Sequence, residues 1–133
     1  MYLIDTNVWL ERLLDQEKSE ETGRFLGQVP SEQLFLTDFS LHSIGIVLTR
    51  LKRMEVLTQF IQDAFIEGSA VLVNLDPKDI QRLVEIMKQF DLDFDDAYQY
   101  TSAEKHNLIL VSFDADFDRT KRGRKVPESV LKR

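Results

Sequence analysis

The sequence has no cysteine, only two histidines and five glycines, and no long apolar run. Without cysteine there is no disulfide scaffold, no thiolate-ligated zinc or iron–sulfur centre and no catalytic thiol. His42 and His106 stand isolated, which disfavours a histidine-based zinc site or catalytic triad and leaves both to surface or core-edge positions. The glycines are scattered and form no phosphate-binding loop. No stretch approaches the ~20 apolar residues of a membrane span. An acid already stands at position 5, and no basic-then-apolar leader precedes it. A soluble cytoplasmic protein with no membrane partner is therefore expected.

What is present is a chain of 133 residues, 43% hydrophobic and 30% charged, which is too apolar for a disordered chain and suits one domain over 1–133. Its length suffices to bury a core without covalent help. The net charge of −6 argues at first against a nucleic-acid partner. That average hides a division. Residues 119–133 carry Arg119, Lys121, Arg122, Arg124, Lys125, Lys132 and Arg133 against the single acid Glu128, a net of +6, so residues 1–118 carry −12. An acidic body is either a solvated surface or the home of a carboxylate cluster that binds cations, and composition does not separate the two.

Apolar runs and helical periods alternate along the chain. Strands are expected at Tyr2-Leu3-Ile4, Leu34-Phe35-Leu36, Ala70 to Leu75 and Leu108 to Val111. Helices are expected from Val8 to Leu14, Glu20 to Gln28, Asp38 to Leu51 with Thr37 or Asp38 as cap, and Val56 to Glu67 ending at Gly68. A further helix starts at Asp76-Pro77, and another runs from the acidic knot Asp91–Asp96 to about Asn107. Strands that are apolar throughout suit a sheet covered on both faces, hence an α/β domain with a mainly parallel sheet.

Asp5 follows the first strand directly and Asp114 lies just past the fourth. Open parallel sheets bind ligands outside the carboxyl ends of their strands, where strand order switches. If these strands are neighbours, the two carboxylates converge, and Asp96 joins them from a helix start. Each also has a plainer reading, Asp5 and Asp96 as helix caps and Asp114 as a turn residue. Three acids at such positions together favour a metal site. The runs Asp91-x-Asp93-x-Asp95 and Asp114-x-Asp116-x-Asp118 are not EF-hand loops: Asp96 and Arg119 stand at the sixth position, and Ser102 and Lys125 at the twelfth. Asp5-Thr6-Asn7 lacks the second acid of an aspartyl-nucleophile phosphatase.

Leu3-Ile4-Asp5-Thr6-Asn7-Val8-Trp9-Leu10 resembles the first motif of PIN-domain nucleases, and Asp96-Ala97 and Val111-Ser112-Phe113-Asp114-Ala115-Asp116-Phe117 resemble the third and fourth. The ordered set spans nearly the whole chain. The resemblance implies a three-layer α/β/α sandwich and an acidic pocket holding Mg²⁺ or Mn²⁺. It also implies endonucleolytic cleavage of RNA and, for small free-standing members, a role as the toxin partnered by a small antitoxin, commonly as a homodimer. One position departs from the pattern: Ser43 stands where the family's second motif carries a glutamate. Ser43 brings a hydroxyl and no negative charge, with Asp95 and Asp38 as the nearby acids able to stand in. This favours as the alternative a weak or inactive PIN-fold module that binds RNA or a protein partner.

On this resemblance Asp5, Asp96 and Asp114 are the catalytic and metal-ligating residues, with Asp116 as an auxiliary ligand. Hard cations prefer such oxygen donors, and clustered carboxylates repel one another until a cation relieves them. Thr6, Asn7, Ser43 and Ser112 are candidates to orient carboxylates or substrate phosphate. Arg119, Lys121 and Arg122, continued by Arg124 and Lys125, are candidates for contacts to an RNA backbone.

Overall fold

In the computed structural model, which describes residues 1–131, four strands form one parallel sheet in the order β3-β2-β1-β4. They are β1 (Tyr2–Ile4), β2 (Leu34–Thr37), β3 (Val71–Val73) and β4 (Ile109–Val111). Leu3 lies beside Phe35 on one side and Leu110 on the other. Side chains alternate between faces. Tyr2, Ile4, Leu34, Leu36 and Val111 enter one core, whereas Leu3, Phe35, Val73 and Leu110 enter the other.

The first core is closed by Val8 and Trp9 of α1 (Thr6–Leu13), Phe25 of α2 (Ser19–Gln28), Ile44 and Leu48 of α3 (Asp38–Arg50), Phe60 of α4 (Met54–Ile61) and Val130 of α7 (Pro127–Leu131). The second is closed by Leu83 and Ile86 of α5 (Ile80–Phe90) and by Ala97, Tyr100 and Ala103 of α6 (Phe94–His106). The expected α/β/α sandwich with a parallel sheet is thus the fold of the chain.

Short polar side chains set the helix starts. Thr37 Oγ1 accepts the Ser40 amide at 3.0 Å, which fixes α3 directly to the end of β2. Asp93 accepts the Asp96 amide at 2.9 Å and so caps α6. Pro77 opens one 3₁₀ turn before α5, with the Asp79 carboxylate accepting the Asp76 amide at 2.8 Å.

The stretch expected as one helix from Val56 to Glu67 divides. α4 ends at Ile61, and residues 62–67 wind more widely, as a π-helical segment whose last bond runs from the Gly68 amide back to Asp63 O at 3.0 Å. Gly68 sits at φ −81°, so left-handed backbone is not its role. A Cβ there would lie 2.6 Å from Ala64 O and 2.7 Å from Asp63 O, a close approach open only to glycine.

The basic segment after residue 119 packs on the sheet edge. The Lys125 amide donates to Leu110 O at 2.8 Å and the Ser112 amide donates to Lys125 O at 2.9 Å, so this stretch runs parallel to β4. Lys132 and Arg133 of that segment lie outside the described residues. Because all strands point the same way, their carboxyl ends share one edge. β1 occupies the switch point there, with β2 on one side and β4 on the other. No helix among the described residues is long and apolar enough to cross a membrane.

Candidate functional site

Asp5 emerges from β1 into the switch point and is only 6% exposed. Its Oδ1 accepts the Thr6 amide at 2.8 Å, which caps α1, and also the Gln99 Nε2 amide at 2.8 Å. Its Oδ2 accepts the Ser112 hydroxyl at 2.7 Å. Burial pushes this carboxyl upward from its ordinary pKa, the charge of Asp114 adds to that, and the bonds from Ser112, Gln99 and Thr6 oppose it. Asp5 is therefore the cap of α1, and its second oxygen is tied to the loop after β4.

Gln99 was not singled out in the sequence, where one amide on a helix carries no signal. It is the buried hub of the site. Its Nε2 also donates to Ser40 Oγ at 2.6 Å, and its Oε1 accepts Thr37 Oγ1 at 2.8 Å. Thr6 Oγ1 lies 2.7 Å from Ser40 Oγ. The end of β2, the start of α3, α6 and Asp5 are thereby joined in one polar network beneath the pocket.

Ser112 links the two strand-end acids, since its Oγ also accepts the Asp114 amide at 2.9 Å. Asn7 ties the same loop, its Oδ1 accepting the Phe113 amide at 3.2 Å and its Nδ2 lying 3.4 Å from Ser112 Oγ. Thr6, Asn7 and Ser112 are thus already engaged in holding the backbone and carboxylates at this edge.

Asp96 does not cap α6, because Asp93 fills that position and Asp96 stands three residues inside the helix. From there it meets Asp114, which caps the 3₁₀ turn Ala115–Arg119 by accepting the Asp116 amide at 2.8 Å. Asp96, Asp114 and Asp116 each present a carboxylate oxygen within 4.8 Å of the other two. Partial burial, then the charges of Asp114, Asp93 and Asp5, push Asp96 up to about 7. Three hard oxygen donors at such separation, one of them an acid that resists ionisation, suit a divalent cation.

Asp5, Asp96 and Asp114 line one cleft of about 240 Å³, together with Thr6, Asn7, Leu10, Phe39, Ser43, Asp95 and Gln99. Ser43 thus lines the same cleft as the acids, with Asp95 as a further carboxylate at the wall. Asp38 is turned to other partners, accepting the Tyr98 hydroxyl and the Phe39 amide, each at 2.8 Å.

The basic residues divide. Arg119 lies at the edge of the cluster, its guanidinium 3.1 Å from Asp116 Oδ1 and bonded to Phe90 O and Asp91 O at 3.1 and 2.6 Å. Arg122 is not brought to the pocket. It donates to Asn107 Oδ1 and Leu108 O, about 16 Å along α6 from Asp96. Arg124 is tied to Asp118 and to Ser112 O. The Lys121 and Lys125 side chains are exposed. His42 and His106 are both at the surface.

A second, larger concavity of about 580 Å³ lies away from the acids and is lined by Trp9, Leu13, Leu26, Leu34, Val56 and Phe60 among others.

A family model described as "PIN domain" matches residues 2–123. Among solved structures, a toxin–antitoxin complex from Klebsiella pneumoniae is 18% identical with a TM-score of 0.77, covering 96% of this chain and 98% of that one. VapC20 from Mycobacterium tuberculosis, described as a sarcin–ricin loop cleaving toxin, is 14% identical with a TM-score of 0.74 over 89% of this chain and 93% of that one. FitAcB from Neisseria gonorrhoeae is 20% identical with a TM-score of 0.74 over 96% and 99%. At these identities the likeness is one of fold. Comparison with curated proteins finds no match.

Proposed function

Because this chain belongs to the PIN-domain family, whose members are generally nucleases, we propose that it is an endoribonuclease hydrolysing RNA phosphodiester bonds with Mg²⁺ or Mn²⁺ held among Asp96, Asp114, Asp116 and Asp5. One observation carries this reading: three carboxylates from α6 and the turn after β4 approach within 4.8 Å at the strand switch point, with Asp5 in the same cleft. Such ions supply an activated water and neutralise charge on the phosphate and leaving oxygen. The protein's part is to hold the acids. Gln99 and Ser112 fix both oxygens of Asp5, and Ser112 anchors the loop bearing Asp114. Asp96, pushed up to about 7, adds its negative charge to the cluster only toward neutral and alkaline pH. Leu10 and Phe39 add apolar wall to the cleft.

We assign the same chain a toxin role with a small antitoxin partner, acting as a cytoplasmic homodimer. The likeness in fold to chains described as toxins and toxin–antitoxin complexes supports the antitoxin. The apolar concavity beside Trp9 and Phe60 supports it too, since a groove of this kind receives the apolar face of a partner helix. A second reading, a PIN-fold module with weak or no catalysis, is favoured by Ser43, which lines the cleft without adding charge.

The test is incubation of the chain with a single-stranded RNA and with DNA of the same sequence, in Mn²⁺ or in chelator. Endonucleolytic cuts in RNA that need the cation support the first reading. RNA bound and left intact with Mn²⁺ present supports the second.

A further inference from the structure

Gln99 gives a direction to a chain of hydrogen bonds that ends at the wall of the acidic cleft. A side-chain amide offers two protons on its nitrogen and lone pairs on its oxygen. Which way it faces is settled by Asp5, whose carboxylate oxygen 2.8 Å away accepts and so meets Nε2. The second Nε2 proton goes to Ser40 Oγ at 2.6 Å. Oε1 is then the acceptor for the Thr37 hydroxyl at 2.8 Å. The Thr37 oxygen in turn accepts the Ser40 amide at 3.0 Å.

One bond of the network is ambiguous by distance alone. Thr6 Oγ1 and Ser40 Oγ lie 2.7 Å apart, and either hydroxyl is able to donate. The rest of the chain of bonds decides between them. Ser40 is fully buried. Among the described residues its hydroxyl has two partners, Gln99 Nε2, which donates, and Thr6 Oγ1. If Thr6 donated, the Ser40 proton would be left in the interior without an acceptor, which buried polar groups avoid. Ser40 therefore donates to Thr6. Thr6 Oγ1 keeps its own proton, has no other partner among the described residues, and belongs to a residue that lines the cleft with Asp5, Asp96 and Asp114.

We propose that the Thr6 hydroxyl donates to a non-bridging oxygen of the RNA phosphate at the carboxylate cluster, with Gln99 and Ser40 as the positioning residues that aim it. This rests on the ribonuclease reading and adds to it a directed contact to the substrate. A phosphodiester entering this cleft passes the carboxylates of Asp5, Asp95, Asp96 and Asp114, all of them acceptors. Gln99 has no proton left for it, since both go to Asp5 and Ser40. A hydroxyl whose direction is set before the substrate arrives needs no reorganisation to meet it.

The test compares the full chain with Thr6→Val, which keeps the branched shape and removes the hydroxyl, and with Thr6→Ser, which keeps the hydroxyl. Each is measured for cutting of a short single-stranded RNA in Mn²⁺ and, without RNA, for Mn²⁺ affinity by calorimetry. The expected result is kcat/KM at least tenfold lower in Thr6→Val and within threefold of the parent in Thr6→Ser, with Mn²⁺ affinity unchanged in both. Parent-like cutting by Thr6→Val overturns the proposal. So does a Thr6→Ser variant as slow as Thr6→Val, or a loss of Mn²⁺ affinity that matches the loss of cutting. A parent that leaves the RNA intact sinks the ribonuclease reading, and RNA affinity by fluorescence anisotropy in Mn²⁺ then decides on Thr6. Binding at least fivefold weaker in Thr6→Val alone supports the contact, whereas equal binding, or none by the parent, overturns it. If Thr6→Val does not fold, neutron diffraction from crystals of the parent in deuterium oxide decides. The shared deuteron is expected on Ser40 Oγ and that of Thr6 in the cleft; a shared deuteron on Thr6 Oγ1 overturns the proposal.

Discussion

Ionising Asp96 sets its charge against Asp114, Asp93 and Asp5 in a partly dry cleft, and its pKa is accordingly raised from 3.8 to about 7. A carboxyl raised in the folded state binds more protons there than in the unfolded chain between those two values. Its contribution therefore favours the fold at low pH and is lost as pH rises through the window. Without divalent ions the melting temperature should fall from this source between about pH 4 and pH 7. Asp96→Asn should flatten that fall and stabilise the ion-free protein at pH 8 by about 1 kcal/mol once solvent screening is allowed for. Calorimetric melting of parent and variant across this range checks the sign. Ser43→Glu works in the opposite direction. A new carboxylate at the cleft wall should lower the ion-free melting temperature and tighten Mn²⁺ binding severalfold, read by paired melting and titration calorimetry. If neither moves, Ser43 does not act on the cluster. Gln99 belongs at this scale too. Gln99→Met keeps its volume but leaves Asp5, Thr37 and Ser40 short of partners in a buried site, which should cost about 2–3 kcal/mol in denaturant unfolding. The acids were legible because each follows a strand or opens a helix, whereas Gln99 was not, because its importance comes entirely from chain segments far away in sequence.

At the scale of elements, local chemistry states most of the fold. Thr37 as a cap, Pro77 inside a helix start and four apolar runs each point to one structure, and the structure agrees. Residues 62–67 are different. Their apolar spacing suits an α-helix, and the wider winding is fixed by the amides of Gly68 and Ala70 bonding back to Asp63 O and Ala64 O, at 3.0 Å each. Periodicity does not encode such a return. Gly68→Ala puts a methyl 2.6 Å from a backbone oxygen, so it should destabilise the chain by about 1–3 kcal/mol in spite of alanine's better helix propensity. Urea unfolding measures this, and a neutral result would mean the 62–70 segment rearranges freely. The basic segment shows the same limit of local reading. Its charges were plain in the sequence, but its pairing with β4 rests on backbone bonds from Lys125 and Ser112.

For the whole molecule, the asymmetry of charge matters through what remains unpaired. Arg119, Arg122 and Arg124 spend their guanidinium groups on carbonyls and carboxylates of the chain itself, leaving, among the described residues of the basic segment, Lys121 and Lys125 exposed beside a body of opposite sign. RNA affinity should therefore fall only shallowly with salt, with a log–log slope of roughly −1.4 for two phosphate contacts at about −0.7 each, and not the roughly −3.5 of five. We propose above that the carboxylates at the strand switch point hold a divalent cation used to cut RNA. This is tested most directly by titrating Mn²⁺ into parent, Asp96→Asn and Asp114→Asn by calorimetry, with RNA cleavage followed in the same preparations. The parent should bind Mn²⁺ and cut RNA, and both variants, still folded, should lose at least tenfold in Mn²⁺ affinity together with cleavage. Parent-like Mn²⁺ binding and cleavage in both variants would contradict it.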